Sequence, residues 1–95
     1  MRLDKFLQVS RLVKRRAVAA GLCARGRVRL NGTPAKAAAT VRAEDVITIA
    51  FGEHRLVAKV LTVPERATPS TQYVEILARV DVGDFVTEGT GGRGD

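Results

Sequence analysis

The sequence predicts an α+β domain in which two short N-terminal helices pack on a small, mostly antiparallel sheet. Apolar residues recur at helical spacing up to about residue 25 and then alternate with polar residues, which is the period of a strand. Glycines at positions 32 and 52 fall between the predicted strands, where tight turns are expected. A chain of 95 residues has room for one such domain and a short tail.

The first helix is predicted at the N-terminus from a single apolar face. That face is formed, at positions i, i+3 and i+4, by Leu3, Phe6 and Leu7. Arg2 and Lys5 lie off this face, and Asp4 falls in the first turn, where an acid interacts favourably with the helix dipole. Ser10 and Arg11 are expected in the turn that leads to a second helix.

The second helix is predicted at about residues 15–25. The same spacing gives it a buried stripe of Ala19, Leu22 and Cys23. Gly26 follows as the residue that leaves the helix in a left-handed conformation. Arg15 and Arg16 begin this helix, at the end where its dipole disfavours cations, and such a conflict is typical of functional sites. We expect Arg16 to point outward, so that its replacement by Glu leaves the fold intact.

Strands are predicted after residue 26, where the period changes to two. Arg27 and Arg29 alternate with apolar residues on the first strand, and Asn31-Gly32 is the strongest short signal for a hairpin turn. Residues 33–45 are expected to form an irregular connection. Strands at 46–51 and 56–61 are expected to pair as a hairpin, with the turn at 52–55. Residues 72–77 are interpreted as a last strand, with a short helix as the alternative.

We expect three parts along the chain. The predicted domain covers residues 1–62, and a C-terminal extension with the last strand covers 63–80. Residues 81–95 are acidic and rich in glycine, which is typical of a disordered tail.

Charge is distributed very unevenly along the chain. Residues 1–42 contain eleven Lys and Arg and one acid, a net charge of +10, whereas residues 43–95 have a net charge of −4. Such a concentration of cations opposes folding by repulsion unless an anionic partner is nearby. The N-terminal half is therefore predicted to bind a polyanion.

The sequence also predicts a soluble, cytoplasmic protein that does not bind a membrane. Cys23 has no second cysteine in the chain with which to form a disulfide, which fits a reducing compartment. Charges at Arg2, Asp4 and Lys5 interrupt any signal-peptide core. The longest run of apolar or Gly residues, Ala17–Ala24, has eight residues and is too short to span a bilayer.

No catalytic or metal-binding constellation is predicted. His54 is the one histidine and falls in a predicted turn, and Cys23 lies on a buried stripe. One His and one Cys give neither a zinc site nor a nucleophile–base pair. Glu44-Asp45 is interpreted as a charged turn. We expect no catalytic residue, no metal and no cofactor.

The basic cluster is the remaining candidate site. A solvated helical face would interleave acids with its cations, and residues 5–42 contain no acid. Arginine predominates, and its planar guanidinium suits bidentate contact with phosphate. No exposed aromatic pair is predicted for base stacking, so structured RNA is the expected ligand. The predicted RNA-binding residues are Arg2, Lys5, Arg11, Lys14, Arg15, Arg16, Arg25, Arg27 and Arg29. Lys36 also belongs to the basic cluster but is not assigned to the RNA-binding site.

Three motifs occur in a recognisable order: MRLDKFL, then KRRAVAAGLCARGRVRLNG, then EDVITIAF. Together they resemble the RNA-binding domain first described in small-subunit ribosomal protein S4. The resemblance covers about residues 1–62 and implies an S4-like fold. Within this group the chain most resembles the small bacterial ribosome-quality-control protein P family, to which the heat-shock-protein-fifteen family is closely related.

The resemblance implies a non-catalytic factor in ribosome-associated quality control of stalled nascent chains. Its implied partners are ribosomal RNA and peptidyl-tRNA on the large ribosomal subunit, with a factor that extends the nascent chain as a further candidate. The chain is expected to be a monomer away from the ribosome. By motif, the residues implied to face RNA are Arg2, Lys5, Arg11, Arg15, Arg16 and Arg27. Asn31-Gly32 is expected to fix its strand against the helices.

One alternative and three departures from the family pattern remain. The alternative is an RNA-targeting module of an rRNA-modifying enzyme system, a pseudouridine synthase or a methyltransferase, although such enzymes carry this domain beside a catalytic domain of a size that this chain lacks. Arg15 stands where the wider domain often has a Ser cap, Glu44 stands where Gly is common, and the Gly-rich tail is unusual.

Overall fold

The computed structural model describes residues 1–66 and 68–81. Its elements, in chain order, are α1 (Leu3–Val9), α2 (Arg16–Ala24), β1 (Val28–Leu30), β2 (Thr33–Pro34), β3 (Val46–Phe51), β4 (His54–Val60), a 3-10 turn (Thr71–Tyr73) and β5 (Val74–Asp81). The five strands form one antiparallel sheet in the order β2-β1-β3-β4-β5. The predicted α+β class, with two helices and an antiparallel sheet, is confirmed.

Both helices form from the apolar spacing seen in the sequence. The predicted face of α1 is completely buried, with zero exposure at Leu3, Phe6 and Leu7. In α2, Ala19 and Cys23 are buried and Leu22 is partly buried. Gly26 ends the helical segment with a φ of +72°, the left-handed conformation that glycine adopts without steric cost.

The β1–β2 hairpin closes with the two-residue turn that Asn31-Gly32 predicts. Leu30 pairs with Thr33, and φ is +54° at Asn31 and +85° at Gly32, as a type I′ turn requires. The segment 33–45 is thus not entirely irregular, because its first two residues form β2. Pro34 is tolerated there because β2 is an edge strand.

The expectation that this turn fixes its strand against the helices stays a prediction. The hydrogen bonds of Asn31 join the hairpin to the start of β3. Its backbone N–H donates to the Val46 carbonyl at 2.7 Å, and its side-chain oxygen accepts from the Val46 N–H at 2.9 Å. Its Nδ2 donates to Asp45 Oδ1 at 3.1 Å. An Asn side chain both donates and accepts, so one residue satisfies both partners.

The β3–β4 hairpin is tighter than expected. Phe51 pairs with His54, so the turn is Gly52-Glu53 and not the whole of 52–55. Gly52 has a φ of +54° at the first turn position, where glycine allows a two-residue connection. His54 and Arg55 therefore belong to β4 and lie in register with β3.

A strand occupies most of the segment predicted at 72–77, but it begins at Val74 and continues to Asp81. It pairs along β4 from Val60 back to His54, with an irregularity in register between Val57 and Ala58. Asp81, the first residue assigned to the predicted tail, is thus the last residue of β5. The rest of that predicted tail, 82–95, lies outside the described residues.

One cluster of buried side chains joins the helices to the sheet. Alternation along β3 buries Ile47 and Ile49, whose cross-strand partners Ala58 and Leu56 are also buried. These side chains belong to the same cluster as the apolar face of α1. The helices therefore cover one face of the sheet, called here the inner face. Among the described residues, neither helix is long and apolar enough to cross a membrane.

Glu44 has the backbone conformation of a glycine. Its φ is +77°, while its N–H donates to the Val60 carbonyl at 2.8 Å. A side chain in this left-handed region costs about 1 kcal/mol or more. The exposed carboxylate pairs with Lys59 Nζ at 3.0 Å, a surface contact of small energetic value.

We predict that Glu44→Gly is more stable than Glu44→Ala by about 1 kcal/mol, because both lose the Lys59 contact and only glycine relieves the backbone. Thermal melting should show a Tm about 4–8 °C higher for the Gly variant, the shift that corresponds to this energy in a small domain. A Gly variant that melts at or below the Ala variant would contradict the strain at this position.

Candidate nucleic-acid interface

Asp4 is the centre of the basic region. It is 4% exposed in the first turn of α1, and it is the one acid among residues 1–42. Arg2 Nε donates to its Oδ1 at 3.1 Å, and Arg16 Nε lies 3.3 Å from its Oδ2. We call these three residues the Asp4 cluster. It connects the start of α1 to the start of α2.

The two arginines keep Asp4 ionised. Burial alone raises the pKa of the Asp4 carboxyl, but hydrogen bonds from Arg2 and Arg16 and the positive charges of both lower it. The net result is a pKa below the ordinary value of 3.8. A buried carboxylate flanked by two guanidinium groups is therefore negatively charged at neutral pH.

The connection after β2 holds this cluster in place. The N-terminal turn of α1 has no side-chain cap. Its first N–H groups donate instead to the connection, Leu3 to the Ala39 carbonyl at 2.8 Å and Asp4 to the Ala37 carbonyl at 3.1 Å. Val41 N–H returns a bond to the Met1 carbonyl at 2.9 Å. The N–H groups that the first turn of α1 cannot pair within the helix are thus paired with the connection. These bonds fix the position of Asp4.

The structure gathers three of the predicted RNA-binding residues around one groove. Arg2, Lys5 and Arg16 line it, and its volume is about 440 Å³. We call it the helical groove; its other lining residues are Met1, Val63, Pro64 and Glu65. The side chains of Arg2 and Arg16 remain 53% and 46% exposed, whereas that of Asp4 is 6% exposed. The groove therefore presents its cations and conceals the acid that holds them.

Three further predicted cations lie on the segment that joins the helices. Arg11, Lys14 and Arg15 are exposed, and none of them makes an ion pair with another described residue. Arg11, in the turn between α1 and α2, has a φ of +64°, and the chain reverses its direction there. Arg11 and Lys14 line a second, smaller depression beside Pro69. These side chains are available to an anionic partner.

The predicted residues after α2 lie elsewhere. Arg25 is exposed at the C-terminal end of α2. Arg27 and Arg29 line a depression together with Arg55, a residue outside the predicted set. The nine predicted residues are thus not brought together into one site.

Two features were missed because they depend on tertiary structure. Local sequence pattern relates Asp4 only to the helix dipole and Arg16 only to solvent, whereas the structure joins the two side chains. The pattern GEHR predicts a turn at Arg55, although the alternation of HRLVAKV is equally typical of an exposed strand face. Only the register with β3 shows which cations it neighbours.

Other chemistry is not indicated by the described residues. They contain no group of three His, Cys, Asp or Glu side chains that could hold a metal ion. Cys23 is buried, and desolvation raises the pKa of its thiol, aided by the nearby charge of Asp4. A protonated thiol packed in a core behaves as a small apolar group.

Comparison with known proteins gives consistent matches. A family model of the S4 domain matches residues 1–47. The RQC P-site tRNA stabilizing factor of Halalkalibacterium halodurans is 46% identical over 65 residues, which cover 68% of this chain and 74% of that relative. The factor of the same name from Bacillus subtilis is 51% identical over 53 residues, which cover 56% of this chain and 62% of that relative.

Two solved structures resemble the fold. The trimeric structure of Vibrio cholerae heat shock protein 15 superposes with a TM-score of 0.71, at 28% identity and 82% coverage of both chains. The solution structure of the hypothetical protein HP1423 gives a TM-score of 0.69 at 35% identity, covering 82% of this chain and 98% of that one. The arrangement of helices and sheet is therefore shared with both.

The Asp4 cluster changes what is expected of Arg16→Glu. The substitution places a second carboxylate beside a buried one, so we predict a loss of stability of about 1–3 kcal/mol. The matched control is Arg15→Glu, which alters the adjacent exposed residue without touching Asp4. Melting followed by circular dichroism should show the Arg16 variant at least about 5 °C below the Arg15 variant. Equal melting temperatures would show that the Arg16–Asp4 contact does not support the fold.

Proposed function

The chain belongs to the family of the RQC P-site tRNA stabilizing factors, and from this premise we propose that it is a non-catalytic RNA-binding factor in ribosome-associated quality control. Its proposed ligands are tRNA and ribosomal RNA on the large subunit that carries a stalled nascent chain. The proposal places it in the cytoplasm as a monomer when free, with a factor that extends nascent chains as a further partner. The observation that carries it is the helical groove, in which half-exposed arginines are fixed by a buried acid.

Arg2 and Arg16 are well suited to phosphate contact. A guanidinium has five N–H donors in a planar fork. Arg2 uses Nε and Nη2 on Asp4, and Arg16 uses Nε, so donors on both remain for an outside acceptor. Because Asp4 already restricts the two side chains, less conformational entropy is lost when RNA binds.

Recognition is proposed to be through the RNA backbone and shape. Phe6 is completely buried, and Phe51 and Tyr73 are partly buried against the core. None of these three rings is a fully exposed platform on which a base could stack. Within residues 1–66 and 68–81 the cationic surface is rigid and lacks stacking residues. Such a surface fits structured RNA, which proteins contact largely at phosphates and 2′-hydroxyls.

A free-standing factor fits better than a targeting module. The 65 aligned residues make up 74% of the relative from Halalkalibacterium halodurans, so that relative is itself a small protein without room for a separate catalytic domain. This supports a function through binding alone.

We predict steep salt dependence when the protein binds a purified tRNA. If about six phosphates are neutralised, log K should fall with log[salt] at a slope of roughly −4 to −5, taking 0.7–0.9 per contact. Fluorescence anisotropy between about 50 and 300 mM salt measures this slope. A slope near zero in the wild-type protein would overturn the electrostatic basis of the proposal.

Matched charge reversals locate the interaction on the ribosome. Arg15→Glu changes an exposed cation between the helices, and Arg66→Glu makes the same change at an exposed residue outside the predicted site. Only the Arg15 variant should lose co-sedimentation with large subunits that carry peptidyl-tRNA. Equal loss in both variants, or recovery of the tagged protein with small subunits, would contradict the proposed role.

A further inference from the structure

The outer face of the sheet, opposite the helices, carries a second cluster of arginines. Cross-strand partners share a face, and Arg29 of β1 pairs with Thr48 of β3, while Ala50 of β3 pairs with Arg55 of β4. Arg27, just before β1, accepts a backbone bond from the Ala50 N–H at 2.9 Å. Arg29 and Arg55 on the flanking strands, with Arg27 just before β1, therefore surround the small side chains of β3 that lie between them.

This arrangement leaves an open, polar depression. Its volume is about 320 Å³, and we call it the sheet groove; it is lined by Gly26, Arg27, Arg29, Thr48, Ala50 and Arg55. Thr48 and Ala50 are too small to fill the space between the flanking guanidinium groups. β3 separates the arginines of β1 from Arg55 of β4 by about 10 Å, which is two strand spacings.

The arginines of the sheet groove lack acidic partners among the described residues. Arg27 and Arg55 make no ion pair there, and Arg29 makes one long bond, from Nη1 to the Gly32 carbonyl at 3.4 Å. Lys59, four residues beyond Arg55 on the same face of β4, differs. Its bond to the Glu44 carboxylate raises its pKa, and that charge is already compensated.

We propose that the sheet groove is a second phosphate-binding site, which holds the backbone of a structured RNA. Three uncompensated arginines on one sheet face repel one another, and a phosphodiester group between them would remove that cost. No aromatic residue of the described part of the chain lines the groove to hold a base, so the proposed ligand is RNA backbone and not a free nucleotide. The proposal rests on the RNA-binding function proposed above and adds a separate surface to it.

The groove is separate from the helical groove because the two lie on opposite faces of the sheet. Ile47 and Ile49 point into the core beneath the helices. Thr48 and Ala50, which alternate with them along β3, face the sheet groove. An RNA segment on one face therefore does not occupy the other.

Arg55→Gln tests the groove, with Lys59→Gln as its matched control on the same strand and face. In the tRNA titration, Arg55→Gln should reduce the magnitude of the salt slope by about 0.7–0.9, the value of one phosphate contact, and Lys59→Gln should leave it unchanged. If wild-type protein binds steeply and Arg55→Gln behaves as Lys59→Gln does, the groove proposal fails while the proposed function stands. If wild-type protein does not bind tRNA, both fail.

Chemical-shift mapping gives an independent readout in the full chain. A short RNA hairpin should shift the backbone amide signals of Thr48 and Ala50, and these shifts should persist in the double variant Lys14→Gln/Arg15→Gln, which removes two exposed cations between the helices and leaves the Asp4 cluster intact. Shifts confined to residues around the helical groove would overturn the proposal, as would loss of the Thr48 and Ala50 shifts in the double variant.

Discussion

The contact of one buried carboxylate with two arginines is the interaction on which the N-terminal half of this protein depends. Asp4 is the one acid in a segment of net charge +10, and it lies where α1, α2 and the connection after β2 meet. Burying a charge is costly unless it is paired and hydrogen-bonded, and Asp4 meets both conditions through Arg2, Arg16 and the Lys5 N–H at 2.8 Å. The same contact lowers the repulsion between cations that the fold brings together.

This interaction connects stability to RNA binding. Arg2 and Arg16 each hold Asp4 with part of the guanidinium and expose the rest, so that the groups that support the fold are also proposed to meet phosphate. The cations between the helices and those of the sheet groove have no comparable internal partner among the described residues. Their repulsion is a cost to the folded state, and a bound polyanion would relieve it. The described residues therefore form basic surfaces on both faces of the sheet.

Local patterns in the sequence predicted the features that local physics determines. Helical spacing gave both helices, Gly26 gave the end of α2, and Asn31-Gly32 gave a turn with two positive φ angles. Features that depend on register or on distant contacts were missed or misassigned. Asn31 contacts Asp45 and Val46 fourteen and fifteen residues away, and Arg55 neighbours Arg27 and Arg29 only because β3 lies between β1 and β4. Glu44 stands where the family pattern commonly has glycine. Its φ of +77° explains why glycine suits this position.

The most direct test of the Asp4 cluster is an NMR titration of the Asp4 carboxyl carbon in the folded protein, compared with Arg16→Gln. We predict a midpoint below 3.8 in the wild-type protein and a higher midpoint in the variant. The pKa of Asp4 is lower in the folded protein than in the unfolded chain. The stability that Asp4 contributes is therefore present above its ordinary pKa and is lost as pH falls through the depressed value. A wild-type midpoint at or above 3.8, or one that Arg16→Gln leaves unchanged, would contradict the role assigned to this contact.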